Sequence, residues 1–502
     1  MRIVCLFLSI GIVLLSSCNL TFAKERITKK TTVTKKVVYK VFHWGPSFLN
    51  GASRLTTELN EIVRAPGATA TISVFVKSMK SGEVLYTRNI HSPMTPASTL
   101  KVLTAEAALI YLGPQYRFAT QLLTDAKDVK KGVLQGNLYI ALSGDPTLTY
   151  NDLVNLLLAL KSHHVSAISG NVYIDQTAYD QRVYGPGWDV KDKQYCYAAP
   201  ISASIINRNC LAFKIEPAKL VGKSAQVVTY PKYFYPTIKN SVVTKNNRIK
   251  NCALHLTTTP DKVINVGGCM PKGPYAWGVS YVITDVNEYN RSLFKNLLIR
   301  LGVRVQGTVG FNTAPKRLSL ISQHASEPLT TMINEMLKKS DNVIAGALFK
   351  KIGQLYSKKP GSWENGGLAV SQILAKHTGM KPAGLRAIDG SGISPQNVMS
   401  SAQMMQVLDY AFHHTATSAE FITALPVAGV DGTLKHRMGN IARKVRAKTG
   451  TISGVVSLAG YAISADNEPL AFVIIVNGPK GLSWQYRGME DQIVTALTRY
   501  KR

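Results

Sequence analysis

Pro96-Ala97-Ser98-Thr99-Leu100-Lys101 opens a run that continues through Val102, Leu103, Ala105, Ala107, Ala108 and Leu109, and the rest of the chain is read outward from it. Proline is at home at a helix start, and the Ala- and Leu-rich residues behind it have high helix propensity with apolar positions three and four apart. The stretch is therefore expected to be a helix whose first turn is Pro96 to Lys101. Residues three apart share a face, which sets the Ser98 hydroxyl beside the Lys101 amine. A neutral lysine placed there can take the hydroxyl proton as the oxygen attacks a carbonyl. Ser-x-x-Lys by itself recurs by chance in a lysine-rich chain, so the stretches that follow it decide the reading.

Upstream, Ser53 to Val63 has the spacing of a short amphipathic helix, and Ala70 to Val76 with Glu83 to Thr87 read as a hairpin around Lys80-Ser81-Gly82. Downstream the character changes to short β-like runs such as Gly136 to Ile140 and Gly170 to Ile174, divided by Gly, Pro and Asp turns. Helical patterns at Tyr150 to Leu160 and Arg291 to Leu301 interrupt them. A helical tract runs from Leu329 to Leu337 and resumes through Ile344, Ala345 and Leu348, so that Ser340-Asp341-Asn342 falls on a break between two helices. Leu368 to His377 and Ala402 to His413 are further helices, with the turn Asp389-Gly390-Ser391-Gly392 between them. After Lys448-Thr449-Gly450 come two apolar strands, Gly454 to Ile463 and Leu470 to Asn477, and a closing helix from Met489 to Tyr500. An α+β (α/β) fold accounts for this order: one sheet with strands from both ends of the chain, and helices on its faces.

The 502 residues, 45% hydrophobic and 18% charged, are too many for one core and suffice for about three domains. Met1-Arg2 and the apolar run Ile3 to Leu15, too short to span a membrane comfortably, read as an export signal. Thr21-Phe22-Ala23 suits ordinary cleavage of a 1–23 signal peptide. Leu15-Ser16-Ser17-Cys18 resembles a lipobox, which would make 1–17 a lipoprotein signal and Cys18 the lipidated residue. Both routes predict an exported protein of the periplasm or cell envelope. The formal net charge of +30 would suggest nucleic acid for a cytosolic chain; an exported one meets wall polymers, acidic peptide stems and anionic lipid headgroups instead, and no nucleic-acid partner is implied. Residues 24–50 read as a basic tether able to contact a membrane surface, or simply as a solvated tail. Of six cysteines, Cys196, Cys210, Cys252 and Cys269 survive either processing route; they allow three disulfide connectivities, the sequence-neighbour pairs among them. With no Cys-x-x-Cys and only adjacent His pairs, a zinc site is not expected.

Ser-x-x-Lys, Ser-Asp-Asn and Lys-Thr-Gly in this order are the signature of class A β-lactamases and penicillin-binding proteins. The likeness extends to Ser143-Gly144-Asp145-Pro146-Thr147, Gly185-Pro186-Gly187-Trp188, Pro200-Ile201-Ser202-Ala203 with Asn207-Arg208-Asn209, Lys338-Lys339 and Thr451. From about residue 50 to its end the chain resembles the class C low-molecular-mass penicillin-binding proteins, D-alanyl-D-alanine carboxypeptidases with endopeptidase activity on peptidoglycan. The resemblance implies a transpeptidase/β-lactamase-like domain, an antiparallel sheet flanked by helices, made of residues 51–120 and 318–502. A strand-rich insert at 121–317, two domains in itself, would split it. It implies Ser98 as the acylated nucleophile and Lys101 as its general base, with a pKa lowered by burial and by Lys448 as a neighbouring cation. Ser340 would relay a proton to the leaving amine, and Asn342 would hold Lys101 and the substrate amide. Lys448 and Thr449, on an edge strand, would bind the terminal D-alanine carboxylate. Gly450 would leave room for the substrate backbone, and the N–H groups of Ser98 and Thr451 would form the oxyanion hole. Peptidoglycan stem peptides are the implied substrates and β-lactams the implied covalent inhibitors, with no cofactor and no metal.

Asp389 and Ser391 either meet the substrate or simply form a tight turn, and Trp188 is read as a packing residue of the insert. A β-lactamase would share the nucleophile, but the Glu-x-x-Leu-Asn context that class A enzymes use for deacylation does not follow it; the one Glu-Leu-Asn, at Glu58, precedes Ser98. A catalytically idle wall-binding protein would not need all three motifs intact.

Overall fold

Apolar runs from the two ends of the chain meet in one sheet. The computed structural model describes residues 51–64, 69–229, 237–246, 251–259, 263–414 and 416–502. The expectations for residues 1–50, namely the signal, its processing at Cys18 and the basic tether, fall outside them. Thr71–Ser78 and Val84–Arg88 form the hairpin. Thr71–Ser78 also pairs along its whole length with Pro469–Asn477, which is bonded in turn to Val455–Ile463 and then Val445–Ile452. The five strands are antiparallel throughout, in the order 445–452, 455–463, 469–477, 71–78, 84–88.

Pleat alternation explains why 469–477 is an almost unbroken apolar run. Leu470, Phe472, Ile474 and Val476 pack on one face with Leu55 and Leu59 of helix Gly51–Arg64 and Met489, Ile493 and Leu497 of helix Ser483–Arg499. Ala471, Val473 and Ile475 enter the core on the other face, with helices Lys101–Leu112 and Ser401–His413. With both faces covered, truncating a side chain such as Phe472 to Ala would cost about 3–5 kcal/mol.

Lys101–Leu112 is the centre of the helical half. Its residues 101 to 109 are all buried, which is why they lack a polar stripe. Leu329–Lys339, Asn342–Ser357, Trp363–Thr378 and Ser401–His413 pack around it. Apolar periodicity begins two helices late, at Leu368 and Met489, where the structure begins them at Trp363 and Ser483. Trp363–Thr378 starts early because Ser362 accepts the N–H of Asn365 while the Asn365 side chain returns to Ser362 N–H, a reciprocal cap ahead of the first periodic residue.

The insert leaves and returns through neighbouring strands. Ser319–Ala325, which a boundary at 318 would place in the sheet domain, pairs instead with Ala119–Thr124 in the sheet 309–311, 172–175, 138–141, 119–124, 319–325. Nested within it, residues 210–282 form two smaller sheets, 226–229, 210–216, 277–282 and 238–240, 264–271, 243–245, with 254–258 also on 264–271. Both levels share one apolar core that includes Ile140, Leu156, Phe213, Ile264 and Phe294. Cys196 is bonded to Cys210 and Cys252 to Cys269.

Candidate active site

The Ser98 stretch departs from a plain α-helical start. Ala97–Leu100 is a 3₁₀ turn and the α-helix begins only at Lys101. Ala97 has a positive φ of 49°, unusual for a residue with a side chain, which turns the chain sharply ahead of Ser98. In a 3₁₀ turn residues i and i+3 eclipse, so Ser98 and Lys101 align more closely than on an α-helix. Lys101 Nζ lies 3.0 Å from Ser98 Oγ. The turn is tied to the sheet: Ser457 Oγ donates to Pro96 O at 2.6 Å and Asn477 bonds Thr95 through both its amide atoms, while Thr99 Oγ1 closes the turn on itself by donating to Pro96 O at 2.7 Å.

Lys101 is fully buried and also donates to Asn342 Oδ1 and to Ser391 O, each at 2.6 Å. Asn342 reaches the amine because helix Leu329–Lys339 ends on Ser340 in the left-handed region (φ 59°, ψ 39°) and a new helix begins at Asn342, capped by Asp341 accepting the N–H of Ile344 at 2.9 Å. The same break turns Ser340 Oγ toward Lys448, whose Nζ donates to it at 2.9 Å and to Thr449 O at 2.6 Å. Lys448, Thr449, Gly450 and Thr451 lie on Val445–Ile452, the edge strand of the sheet. Thr449 Oγ1 donates to Thr433 Oγ1 at 2.7 Å. Thr451, exposed at the far end, accepts from Arg487 at 3.4 Å.

Burial pulls the Lys101 pKa from 10.5 down to about 7, against the Asp389 and Asp341 carboxylates, which pull it up. Burial likewise drives Lys448 well below the ordinary lysine value, and the charge of Lys101 pushes it further. The expected repulsion between the two lysines thus falls on Lys448, while what lowers Lys101 is its removal from water. Either amine can hold a proton more easily if the other does not.

One expectation needs correction, and that of Trp188 as a packing residue, which its buried place in the core bears out, needs extension. Gly450 does not face an open cleft: a Cβ there would come within 2.2 Å of Ser457 Oγ and 2.9 Å of both Pro96 O and Ser98 N, so the glycine lets the strand lie against the Ser98 turn. Trp188 is more than a packing residue, because its Nε1 donates to Asp389 Oδ2 at 2.7 Å. Asp389 and Ser391 are buried. The Asp389 oxygens also accept the N–H groups of Ser391, Gly392 and Ser394 at 2.6 to 2.9 Å, so this carboxylate shapes the turn that offers Ser391 O to Lys101. Thr104 Oγ1 fastens the turn to the helix through Gly390 O at 2.7 Å. Sequence reasoning missed the Tyr197 carbonyl, which accepts Asn342 Nδ2 at 2.8 Å. It also missed Arg208, which meets Glu335 at 2.9 Å and Asp341 at 3.7 Å. A backbone carbonyl leaves no trace in residue identity, whereas Arg208 stood inside a stretch already singled out.

The sequence matches the D-Ala-D-Ala carboxypeptidase 3 (S13) family over residues 55–500. It is 31% identical over 438 residues to the D-alanyl-D-alanine carboxypeptidase DacB of Haemophilus influenzae, covering 86% of this chain and 89% of that protein. The crystal structure of penicillin binding protein 4 (dacB) from Haemophilus influenzae superposes with a TM-score of 0.75 at 30% identity, covering 90% of this chain and 100% of that one. A second structure of that protein, complexed with a novel beta-lactam, gives a TM-score of 0.73 at 29% identity over 88% and 99% of the two chains.

Proposed function

The chain belongs to the D-Ala-D-Ala carboxypeptidase 3 (S13) family, and from that premise we propose that it is a serine-type D-alanyl-D-alanine carboxypeptidase working through an acyl-enzyme on Ser98. The observation that carries the mechanism is the 3.0 Å contact between Ser98 Oγ and an amine whose burial brings its pKa to about 7. A base poised near the working pH is present in its neutral form and still accepts a proton readily.

Neutral Lys101 takes the Ser98 proton as the oxygen adds to the carbonyl of the penultimate D-alanine. The N–H groups of Ser98 and Thr451 receive the oxyanion. The tetrahedral centre collapses, the C–N bond breaks, and the proton passes by way of Ser340 to the leaving nitrogen of the terminal D-alanine. Water then attacks the ester, gives its proton to Lys101, and the proton returns to Ser98 Oγ as the shortened stem departs. Lys448 and Thr449 hold the terminal carboxylate. An arriving carboxylate raises the Lys448 pKa, so substrate binding favours the pair Lys448 charged and Lys101 neutral, which is the pair that acylation needs. A β-lactam meets the same nucleophile, but its leaving nitrogen stays tethered to the acyl group, which makes it a covalent inhibitor.

We extend the proposal to cross-linked stem peptides, on the ground that the insert beside the site adds surface to contact a second stem. Asp389 and Ser391 act within the protein as a turn, and not on substrate, because their polar atoms are occupied by its own groups. The place of action is the cell envelope, reached by export.

The test treats the purified protein with labelled penicillin, maps the adduct by mass spectrometry, and follows D-alanine release from a stem pentapeptide and cleavage of a cross-linked muropeptide dimer. The label is expected on Ser98 and absent from Ser98→Ala, with both peptides cut. An adduct elsewhere overturns the mechanism. Rapid penicillin turnover without D-alanine release would make the protein a β-lactamase, and an uncut dimer would end the endopeptidase extension alone.

A further inference from the structure

We propose that segment 183–200 of the insert is a bracket that fixes two of the three acceptors of the Lys101 amine, Asn342 Oδ1 and Ser391 O, so that Trp188 and the Cys196–Cys210 bridge are positioning elements for the acylation of Ser98. This rests on the reading of Ser98 and Lys101 as the reacting pair. The segment is closed at its neck: Ile201 N–H donates to Val183 O at 2.8 Å. Lys350, buried in helix Asn342–Ser357, donates to Asp180 Oδ1, Arg182 O and Ile201 O at 2.7, 2.9 and 3.2 Å. Trp363 Nε1 also donates to Arg182 O, at 2.7 Å, and its ring centroid lies 4.7 Å from the Lys350 ammonium.

From this neck the segment reaches the amine by two routes. Along the first, Tyr197 O accepts Asn342 Nδ2, and Asn342 Oδ1 accepts Lys101. An amide has one accepting and one donating end, so the carbonyl that takes Nδ2 also decides that Oδ1 faces the amine. A rotated amide would set N–H against N–H. Along the second, Trp188 Nε1 donates to Asp389 Oδ2, whose carboxylate gathers the N–H groups of Ser391, Gly392 and Ser394 and so fixes Ser391 O on Lys101. Ser394 Oγ fastens that turn to Pro186 O of the same segment at 2.7 Å. The Tyr197 turn is held by the Cys196–Cys210 bond to strand Cys210–Glu216. The other bridge, Cys252–Cys269, joins the flank of strand Leu254–Thr258 to Ile264–Pro271 and lies on neither route.

Loosening the bracket has two consequences. Misplacing a general base by about 1 Å costs on the order of 100-fold in rate. Water admitted to the amine relieves the burial that lowers its pKa, and an Asp389 carboxylate deprived of the indole N–H attracts the ammonium more strongly, so both changes raise the Lys101 pKa.

The experiment measures the second-order rate of Ser98 acylation by a fluorescent penicillin from pH 5 to 9 on the parent protein, Trp188→Phe, Cys196→Ala/Cys210→Ala and, as control, Cys252→Ala/Cys269→Ala. Trp188→Phe and Cys196→Ala/Cys210→Ala are expected to acylate at least tenfold more slowly at pH 7, with the acid limb of the profile displaced to higher pH. The control is expected to match the parent within twofold. Partial unfolding would lower the active fraction without moving the limb, so a slowed rate on an unmoved limb overturns the proposal. Parent-like kinetics, or equal effects from both bridges, overturn it as well. If Cys196→Ala/Cys210→Ala does not fold, Trp188→Phe decides the matter. Absence of label on Ser98 in the parent overturns the functional reading and the bracket with it, an outcome distinct from a labelled parent whose variants behave like it.

Discussion

Replacing Lys101 by methionine should nearly abolish acylation while leaving the fold as stable or more so, and the second effect can be worked from the site. The amine is fully buried, and burial lowers its pKa from 10.5 to about 7. A shift of that size corresponds to at most about 5 kcal/mol spent on holding a lysine here at low pH. Against this stand the three hydrogen bonds to Ser98 Oγ, Asn342 Oδ1 and Ser391 O. Leaving those acceptors without their donor costs about 1–3 kcal/mol in all, since Ser98 and Asn342 are only half-buried and can turn to water. Methionine has a similar length and leaves no large cavity. The sign with pH follows from the lowered pKa. Between pH 7 and 10.5 the unfolded chain binds a proton at this position that the folded chain does not, so the parent gains stability from this group as pH rises through that window. The advantage of Lys101→Met should therefore be greatest below pH 7 and fade toward pH 10.5. Thermal unfolding at pH 6 and 9, beside penicillin labelling, is the assay; a general base is worth about 10²–10⁴ in rate. A variant that labels at the parental rate, or that is less stable than the parent by more than about 3 kcal/mol at pH 6, would refute the account of Lys101 as a destabilised base.

Other outcomes follow from the same molecule. Glu106, on the helix that carries Lys101, is buried with neither carboxylate oxygen hydrogen-bonded among the described residues, and burial raises its pKa to about 8. Its folded form therefore holds a proton that the unfolded chain releases above about pH 4.5, and the parent loses stability as pH climbs from there to about 8. Glu106→Gln should gain on the parent across that interval in thermal unfolding, by up to about 4 kcal/mol at its upper end, and a constant difference between the two would contradict it. At the other end of the chain, Cys18→Ser should move the protein from the membrane fraction to the soluble one if the lipobox is used. Unchanged fractionation, or a mature terminus at Lys24, would show ordinary secretion.

How far residue identity reaches can be judged position by position. Ser98 and Lys101 were legible because a spacing of three is a local property of any helical turn, and the break at Ser340-Asp341-Asn342 because apolar periodicity stops before it and resumes after it. The terminal strands were legible because burial on both faces leaves an unbroken apolar run. The 3₁₀ turn at Ala97 was not, since nothing in Pro-Ala-Ser-Thr calls for a positive φ at alanine; packing of that turn against Gly450, Ser457 and Asn477 accounts for it. Sequence pointed to burial as what lowers the Lys101 pKa but also enlisted Lys448, and could not weigh the two, because desolvation depends on every group that closes around the amine. Gly450 looked like space for a ligand and turned out to be space for the protein's own backbone. The largest gap concerns the insert, whose carbonyl at Tyr197 and indole at Trp188 meet residues far along the chain. Sequence alone determined which chemical groups the protein carries, which of them sit three apart on a turn, and which ends of the chain share a sheet. Only the tertiary structure decided which groups are deprived of water and which way the Asn342 amide faces, because both are set by contacts between distant segments that no local pattern encodes.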